Sequence, residues 1–193
     1  MVLLVNMTAQ EAAKAVRQGK VLVCPTDTVY GLVCDATNKK AVEKLFKVKK
    51  RKLSKFLPIF VKDISMAKRL AHIDKKQEKF LRKVWPGKVT AVLERKTKSA
   101  KRKIYGIDKN KIGLRIPNYK LVLDLLKNTN RPLTGTSANI SGKPASTKIG
   151  EVLRQFSGKK HKPDLIINRG NLPKSKLSRV VDLTGKKIKI LRK

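Results

Sequence analysis

The 193-residue sequence predicts an α+β fold in which helices pack on a mixed β-sheet. Helical and strand patterns alternate along much of the chain, as they do in sheets with parallel strands. Several short strand patterns near the end follow one another without helices between them, and this favours antiparallel neighbours as well. No repeat or linker is evident, and the length fits one domain with its own core. Residues 1–193 are therefore predicted to form a single domain.

The first half of the chain carries clear helix signals. Thr8 and Glu11 match a capping box and predict a helix over residues 9–18. Asn38 can cap a second helix that reaches Lys49. The other elements predicted here are strands over 21–24, 57–61 and 89–93, helices over 64–71 and 75–84, and a Trp-Pro-Gly turn at 85–87.

The second half is predicted from shorter apolar runs. Pro117 ends a strand over 112–116, because proline restricts the residue before it. Thr147 is predicted to cap a helix that reaches Phe156. The remaining elements are a basic loop over 96–103, a helical face over 121–126, and strands over 132–134, 165–167, 180–183 and 188–191.

The composition is strongly basic, with 48 Lys and Arg against 13 Asp and Glu, a formal charge of +35. Such a charge attracts polyanions, so nucleotides and RNA are plausible partners. A general lysine bias explains the same count, because the lysines are spread over the whole chain. Both explanations stay open at this level.

Several other classes of protein and site are disfavoured. No stretch approaches the roughly 18 apolar residues of a membrane span, and the apolar run at 1–5 is too short for a signal peptide. We therefore expect a cytoplasmic protein with no membrane contact. Cys24 and Cys34 are predicted to be buried thiols, since no secretory signal favours a disulfide. His72 and His161 lack companions at metal-ligand spacing, so no metal site is predicted.

Three polar segments stand at predicted strand ends or turns: Thr26–Tyr30, Lys49–Lys55 and Thr136–Asn139. They supply hydroxyls, cations and small hydrogen-bonding groups respectively. This combination suits a phosphorylated ligand, because Lys gives a point charge and Arg a bidentate fork. The glycine-rich motifs of P-loop and dinucleotide-binding proteins are absent from the sequence.

Six sequence segments together span nearly the whole chain. They are Pro25-Thr-Asp-Thr-Val-Tyr-Gly-Leu32, Lys49-x-Arg51, Trp85-Pro-Gly87, Gly113-Leu-Arg-Ile-Pro117, Thr136-Ser-Ala-Asn-Ile-Ser-Gly142 and Ser178-Arg-Val-Val-Asp182. In this order they resemble the YrdC/YciO family, whose characterised members include threonylcarbamoyl-AMP synthases.

The resemblance implies a twisted open sheet with a basic concave cavity, and a defined reaction. A threonylcarbamoyl-AMP synthase makes L-threonylcarbamoyladenylate and pyrophosphate from L-threonine, bicarbonate and ATP with Mg²⁺. The product serves the threonylcarbamoyl modification of a tRNA adenosine. The implied partners are RNA or tRNA, for which the protein would have affinity, and tRNA threonylcarbamoyl transferase proteins, which would receive the product.

The resemblance also implies the site residues. The catalytic set, expected around the nucleotide phosphates, is Lys49, Arg51, Ser137 and Asn139. Further residues expected to reach ATP are Lys55, Thr147 and Arg192. The residues expected to hold L-threonine are Thr28, Arg115, Ser137 and Ser178, with Tyr30 lining the same pocket. Ordinary structural roles compete with these, such as a surface salt bridge for Arg115 or Arg192.

Some positions depart from the family pattern. Lys52 and Phe56 stand where prolines are usual, and some members carry a histidine near Phe60. Arg179 is expected to add bulk and charge beside the threonine pocket. The larger relatives also carry a C-terminal domain, so this chain resembles the short form.

Two other functions remain open at this stage. One is a non-catalytic module that binds double-stranded RNA or tRNA, favoured by the charge and the basic loop. The other is a YciO-type relative with a different or weak activity, favoured by the departures from the family pattern.

Overall fold

The computed structural model describes residues 3–52, 56–96, 103–185 and 187–193. Within these ranges the chain forms six helices and eleven strands. The helices are α1 (Ala9–Arg17), α2 (Lys39–Lys49), α3 (Ile64–Leu70), α4 (Lys75–Val84), α5 (Lys120–Thr129) and α6 (Ile149–Phe156). The strands are β1 (Leu3–Val5), β2 (Leu22–Cys24), β3 (Gly31–Val33), β4 (Ile59–Phe60), β5 (Val89–Glu94), β6 (Lys111–Arg115), β7 (Leu133–Thr134), β8 (Thr136–Ser137), β9 (Leu165–Ile167), β10 (Arg179–Asp182) and β11 (Lys189–Arg192). The predicted α+β class is confirmed.

The strands form two mixed sheets instead of the one sheet expected. A five-stranded sheet has the order β1-β9-β2-β3-β8, and a six-stranded sheet has the order β11-β10-β5-β6-β4-β7. Each sheet combines parallel pairs, such as β2 with β9 and β5 with β10, with antiparallel pairs, such as β2 with β3 and β5 with β6. The predicted mixture of strand directions is therefore present in both sheets.

The chain passes directly from one sheet to the other at Gly135, which lies between β7 and β8. The Gly135 N–H donates a hydrogen bond to the Pro58 carbonyl oxygen at 2.8 Å. A Cβ at this position would lie 2.3 Å from the nearest carbon of the Phe60 ring, far inside van der Waals contact. Only glycine fits here without displacing the ring, and the two sheets can therefore meet closely.

Helices cover both faces of the five-stranded sheet. Because side chains alternate along a strand, Leu22 and Cys24 pack on one face with α1 and α5. Val23 points to the other face and packs with α2 and α6. This sheet is therefore buried on both sides.

The six-stranded sheet is built differently. Ala91 and Leu114 pack against α3 and α4 on one face. Val92, Gly113 and Val180 alternate to the opposite face, where they line a groove. Since Arg115 lies two residues beyond Gly113, the strand period places its side chain on that grooved face.

Most predicted elements are present with shifted ends, but one cap is wrong. The Thr8–Glu11 capping box and the Asn38 cap are confirmed. The N-cap of α6 is Lys148 and not Thr147, because the Ser146 hydroxyl accepts the Lys148 N–H at 2.9 Å and sets the chain before the helix. Three strands, β1, β3 and β8, were not predicted and are only two or three residues long.

Cys24 and Cys34 are free and buried, as predicted, and burial raises the pKa of each thiol to about 12. Within the described ranges no helix has the length and apolar character to cross a bilayer. The same residues contain no cluster of three His, Cys, Asp or Glu side chains arranged to hold a metal ion. Most of the basic loop predicted at 96–103 lies outside the described residues, which omit 97–102.

Candidate functional site

A cavity of about 140 Å³ lies where the two sheets meet, beside Gly135. Strands β3 and β8 of the five-stranded sheet supply one wall, and β4, β6 and β11 of the six-stranded sheet supply another. Eight of its lining residues are polar: Thr26, Thr28, Arg51, Arg115, Thr136, Ser137, Ser178 and Arg192.

Six of these eight residues belong to the predicted site, although the chain segments that carry them are far apart. They are Thr28, Arg51, Arg115, Ser137, Ser178 and Arg192. Three are arginines, and no carboxylate is among the lining residues described. The cavity is therefore cationic and suited to anionic ligand groups.

A turn after β2 fixes the hydroxyl of Thr28. The Thr26 hydroxyl donates to the Val29 carbonyl oxygen at 2.6 Å and accepts the Thr28 N–H at 3.1 Å. The two threonine Oγ1 atoms lie 3.1 Å apart, and both side chains are buried. Because the turn is closed by side-chain hydrogen bonds, it presents two hydroxyls at one wall of the cavity.

Arg115 is held on several sides and is only 4% exposed. Its Nε donates to the Gly87 carbonyl oxygen at 2.9 Å, and its Nη2 donates to Asp27 Oδ1 at 2.6 Å. Nη1 lies 3.5 Å from Thr28 Oγ1, and the Phe60 ring centroid lies 5.8 Å from Cζ. Burial lowers the pKa of Arg115, and Asp27 opposes that shift. An arginine remains charged in either case, and the surface salt bridge considered for it is excluded by its burial.

Arg192, on the last strand, closes the cavity from another side. Its Nε and Nη2 donate to the Ser178 carbonyl oxygen at 2.9 and 2.7 Å, and Nη2 also reaches Ser178 Oγ at 3.1 Å. The Ser178 hydroxyl lies 3.0 Å from Thr90 Oγ1 on β5. Burial lowers the pKa of Arg192, whose charge is therefore partly removed from water.

Arg51 enters the cavity just beyond the end of α2. Lys50 adopts a left-handed conformation with φ of 47°, which stops the helix and turns the chain. The Arg51 N–H then donates to the Phe46 carbonyl oxygen at 3.0 Å, and its Nη2 donates to the Phe56 carbonyl oxygen at 2.8 Å. Burial lowers the pKa of Arg51. The helix end thus directs a guanidinium group toward the segment that lines the cavity.

Lys49 and Asn139 lie behind Ser137 and are not among the cavity-lining residues. Lys49 Nζ donates to the Ser137 carbonyl oxygen at 2.6 Å, to Asn139 Oδ1 at 2.8 Å and to the Asn139 carbonyl oxygen at 3.1 Å. Asn139 Oδ1 also accepts the Ser137 hydroxyl at 2.6 Å. Burial, and secondarily Arg51, lowers the pKa of Lys49 to about 7. This buried cluster (Lys49 and Asn139) fixes Ser137 at the cavity wall.

The other predicted residues occupy different surroundings. The Tyr30 hydroxyl donates to the Gly170 carbonyl oxygen at 2.7 Å and accepts the Arg169 N–H at 3.2 Å, outside the cavity lining. Thr147 is half-buried next to the start of α6. Lys55 lies outside the described residues. For these three residues, ligand contact stays a prediction.

Phe60 and Asp27 are parts of the site that the sequence did not assign. Phe60 lines the cavity and stacks on Arg115, while Asp27 binds Arg115 from behind. The available signal was the position of Asp27 between Thr26 and Thr28, in the polar segment Thr26–Tyr30. Arg179, which was expected to add bulk and charge beside the threonine pocket, has an exposed side chain and is not among the cavity-lining residues. Adjacent residues of a strand point to opposite faces, so Arg179 diverges from Ser178.

An apolar groove adjoins the cavity on the grooved face of the six-stranded sheet. It shares Pro58 and Arg192 with the cavity, and its floor includes Val92, Gly113 and Val180. Its volume is about 440 Å³. A cationic cavity and an apolar groove side by side match the two halves of a nucleotide, which has charged phosphates and a flat base.

Comparison with known proteins identifies the family of this chain. The family model Sua5_yciO_yrdC, described as telomere recombination, matches residues 14–193. A putative threonylcarbamoyl-AMP synthase of Methanocaldococcus jannaschii is 34% identical over 179 residues, covering 91% of this chain and 80% of the relative. The threonylcarbamoyl-AMP synthase of Pyrococcus abyssi is 34% identical over 174 residues, but this chain spans only 50% of its length.

A solved structure gives the same result for the fold. The crystal structure of P. abyssi Sua5 complexed with L-threonine matches with a TM-score of 0.86 and 32% identity, covering the whole of this chain and 57% of that chain. The chain described here belongs to the Sua5/YciO/YrdC family.

Proposed function

We propose that this protein is an L-threonylcarbamoyladenylate synthase that uses L-threonine, bicarbonate and ATP. The observation that carries the proposal is the cationic cavity in which Thr28, Arg51, Arg115 and Ser137 meet. The names of the M. jannaschii and P. abyssi relatives support it, and so does the L-threonine bound to the P. abyssi structure.

The amino acid is proposed to bind at the Thr28 end of the cavity. Two nitrogens of Arg115 already have acceptors within 3 Å, so Nη1, beside Thr28 Oγ1, is the nitrogen best placed for a substrate carboxylate. A guanidinium group without other partners can bind a carboxylate through two of its nitrogens. Here we propose that Nη1 alone binds it. The hydroxyl oxygens of Ser137 and Ser178, which line the cavity, are proposed to accept hydrogen bonds from the amine and the side-chain hydroxyl of threonine.

ATP is proposed to place its phosphates between Arg51 and Arg192, with its base in the apolar groove that Arg192 also borders. No carboxylate is among the described cavity-lining residues. Mg²⁺ would therefore enter with ATP, held by phosphate oxygens and water, as is usual for this ion. Lys55 and Thr147 are retained as further candidates for contacts to ATP.

Lys49 and Asn139 are proposed to support the site from behind Ser137. The three hydrogen bonds of the Lys49 ammonium group join two residues of the 137–139 turn, and the Ser137 hydroxyl is bonded to the same Asn139 oxygen. Such a role needs no contact between Lys49 and the phosphates. Tyr30 is proposed to act in the same indirect way, through its bonds to Gly170 and Arg169.

The proposed reaction has two steps. The neutral amine of threonine adds to carbon dioxide derived from bicarbonate and loses a proton to water, which gives a carbamate. A carbamate oxygen then attacks the α-phosphorus of ATP, and the bond to the bridging oxygen breaks so that pyrophosphate leaves with the electron pair. No covalent intermediate on the protein is needed. The chain contributes alignment of the reactants and fixed positive charge where phosphate charge develops.

The proposal is tested by incubating the protein with ATP, Mg²⁺, bicarbonate and one amino acid at a time. Pyrophosphate release and the mass of the acyl adenylate are the two readouts. We expect both products with L-threonine, much less with L-valine or L-serine, and none when bicarbonate and carbon dioxide are removed. Absence of threonine-dependent pyrophosphate release would refute the proposed function.

The +35 charge favours a second property, affinity for RNA. We propose that it brings the synthase near tRNA in the cytoplasm, where a tRNA threonylcarbamoyl transferase takes over the adenylate. Binding of tRNA should weaken steeply as salt rises, because phosphate contacts release counterions. Tight RNA binding without any adenylate formation would instead favour a non-catalytic RNA-binding module, and adenylate formation with another amino acid would favour a YciO-type relative.

A further inference from the structure

Asp27 is a buried carboxylate that touches the site without lining the cavity. Its side chain is 8% exposed, in a protein that carries a charge of +35. Oδ1 accepts Arg115 Nη2 at 2.6 Å, and Oδ2 accepts the Asn118 N–H at 3.1 Å. Both oxygens are therefore bonded to the segment that ends β6, on the other sheet from the turn that carries Asp27.

The geometry of Arg115 depends on this carboxylate. A guanidinium group is planar, so fixing two of its nitrogens fixes the direction of the third. The Gly87 carbonyl oxygen holds Nε, and Asp27 holds Nη2. Nη1 is left directed toward Thr28 Oγ1, at 3.5 Å. Without Asp27, the plane would be held by the bond at Nε, by stacking on Phe60 and by the longer contact of Nη1 with Thr28 Oγ1.

We propose that Asp27 is a positioning residue for the amino acid substrate, acting through Arg115. It turns the guanidinium so that Nη1 and the Thr28 hydroxyl together receive the carboxylate of the amino acid. This inference rests on the proposed function, because it assigns a substrate group to that site.

If Asp27 acted only through its negative charge, its removal would have the opposite effect on threonine binding. Asp27 offsets the positive charge of Arg115, so removal of its charge would leave the cavity more cationic. If only charge mattered, the carboxylate group of threonine and the phosphates of ATP would both bind more tightly to an Asp27→Asn variant. If position matters, threonine alone binds more weakly, because ATP is proposed to lie on Arg51 and Arg192.

The test measures the KM values for L-threonine and ATP in the Asp27→Asn variant, by pyrophosphate release. We expect the KM for threonine to rise about tenfold or more, as when one partner of a buried charged pair is removed, with an ATP KM within about twofold of the wild type. A threonine KM that is unchanged or lower would overturn the inference, and so would an equal rise in both KM values.

The Asp35→Asn variant is the matched control. Asp35 is also a buried carboxylate, with a side chain 1% exposed and paired with Arg131, but it is not among the cavity-lining residues. It should lose stability as Asp27→Asn does and keep the wild-type KM for threonine. If Asp35→Asn raises the threonine KM as strongly as Asp27→Asn does, the inference fails, because general loosening of the fold then explains the effect.

The Asp27→Glu variant keeps the negative charge but moves the carboxylate, so it tests the position of that group. It also provides a second test if Asp27→Asn does not fold. The longer side chain displaces the carboxylate, so the KM for threonine should rise although the charge is unchanged. A wild-type KM in this variant would contradict a positioning role. The proposed function fails separately, if the wild-type protein itself releases no pyrophosphate with threonine.

Discussion

The cavity and the buried cluster behind it use similar residues in different ways. In the cavity, Arg51, Arg115 and Arg192 line a space that a ligand can enter. In the buried cluster, the Lys49 ammonium group and the Asn139 side chain are bonded to backbone and side-chain oxygens of their own chain. The two regions meet at Ser137. A polar residue in a site motif can therefore either contact the ligand or hold the residue that does.

The largest expected effect comes from the cavity side, in the Arg51→Ala variant. Loss of a fixed cation where phosphate charge develops should lower kcat/KM for pyrophosphate release by about a hundredfold to a thousandfold or more. Lys52→Ala is the matched control, since it removes one positive charge next to Arg51 from an exposed side chain. Equal activity in the two variants would contradict a phosphate role for Arg51.

The buried cluster should respond differently, through stability first. Lys49→Met removes the donor shared by three close oxygens, which should cost about 3 kcal/mol in the free energy of unfolding, measured with urea. Activity per folded molecule should fall about tenfold, less than for Arg51→Ala, because Ser137 loses its support. Lys47→Met, on the exposed side of the same helix, is the control. If Lys49→Met is as stable as Lys47→Met, the cluster is not structural.

Gly135→Ala tests the junction that both regions share. The added Cβ would overlap the Phe60 ring, so the variant should lose about 1–3 kcal/mol of stability. It should also raise the KM for threonine, because the displaced ring lines the cavity. Gly150→Ala, in α6 with open space around the new Cβ, should be neutral or slightly stabilising. Equal thermal unfolding of the two variants would show that the ring adjusts without cost.

The smallest expected effect is a pH dependence that belongs to the buried cluster. Burial lowers the pKa of Lys49 to about 7, whereas an unfolded lysine keeps its proton to about pH 10. Between these values the unfolded state binds more protons, so the wild type should gain stability relative to Lys49→Met as pH rises. The slope is at most about 1.4 kcal/mol per pH unit. A difference that stays constant from pH 6 to 9 would mean that folded Lys49 keeps its proton.

Helices with local capping signals were predictable from the sequence. The Thr8–Glu11 box and the Asn38 cap act within a few residues, and α1 and α2 begin where these signals place them. The division into two sheets was not predictable, because it depends on Gly135 meeting Phe60, a contact between distant segments. Strand β1 was missed for a similar reason, since it pairs with β9, more than 150 residues away.

The cavity was predictable as a set of residues but not as a geometry. The motifs named six of its polar side chains in advance. Lys49 and Asn139 lie behind the cavity wall because Lys49 Nζ bonds to oxygens of Ser137 and Asn139. The sequence carries no direct signal for the positions of those oxygens. The same holds for Asp27, whose partner Arg115 lies 88 residues along the chain.

The most direct test of this account is a crystal structure of the protein with L-threonine and a non-hydrolysable ATP analogue bound. We predict that the threonine carboxylate lies on Arg115 Nη1 and Thr28 Oγ1 and that phosphate oxygens lie on Arg51. Lys49 Nζ should keep its bonds to Ser137 and Asn139. Ligands on another face, or phosphate on Lys49 in place of Ser137 and Asn139, would contradict the account.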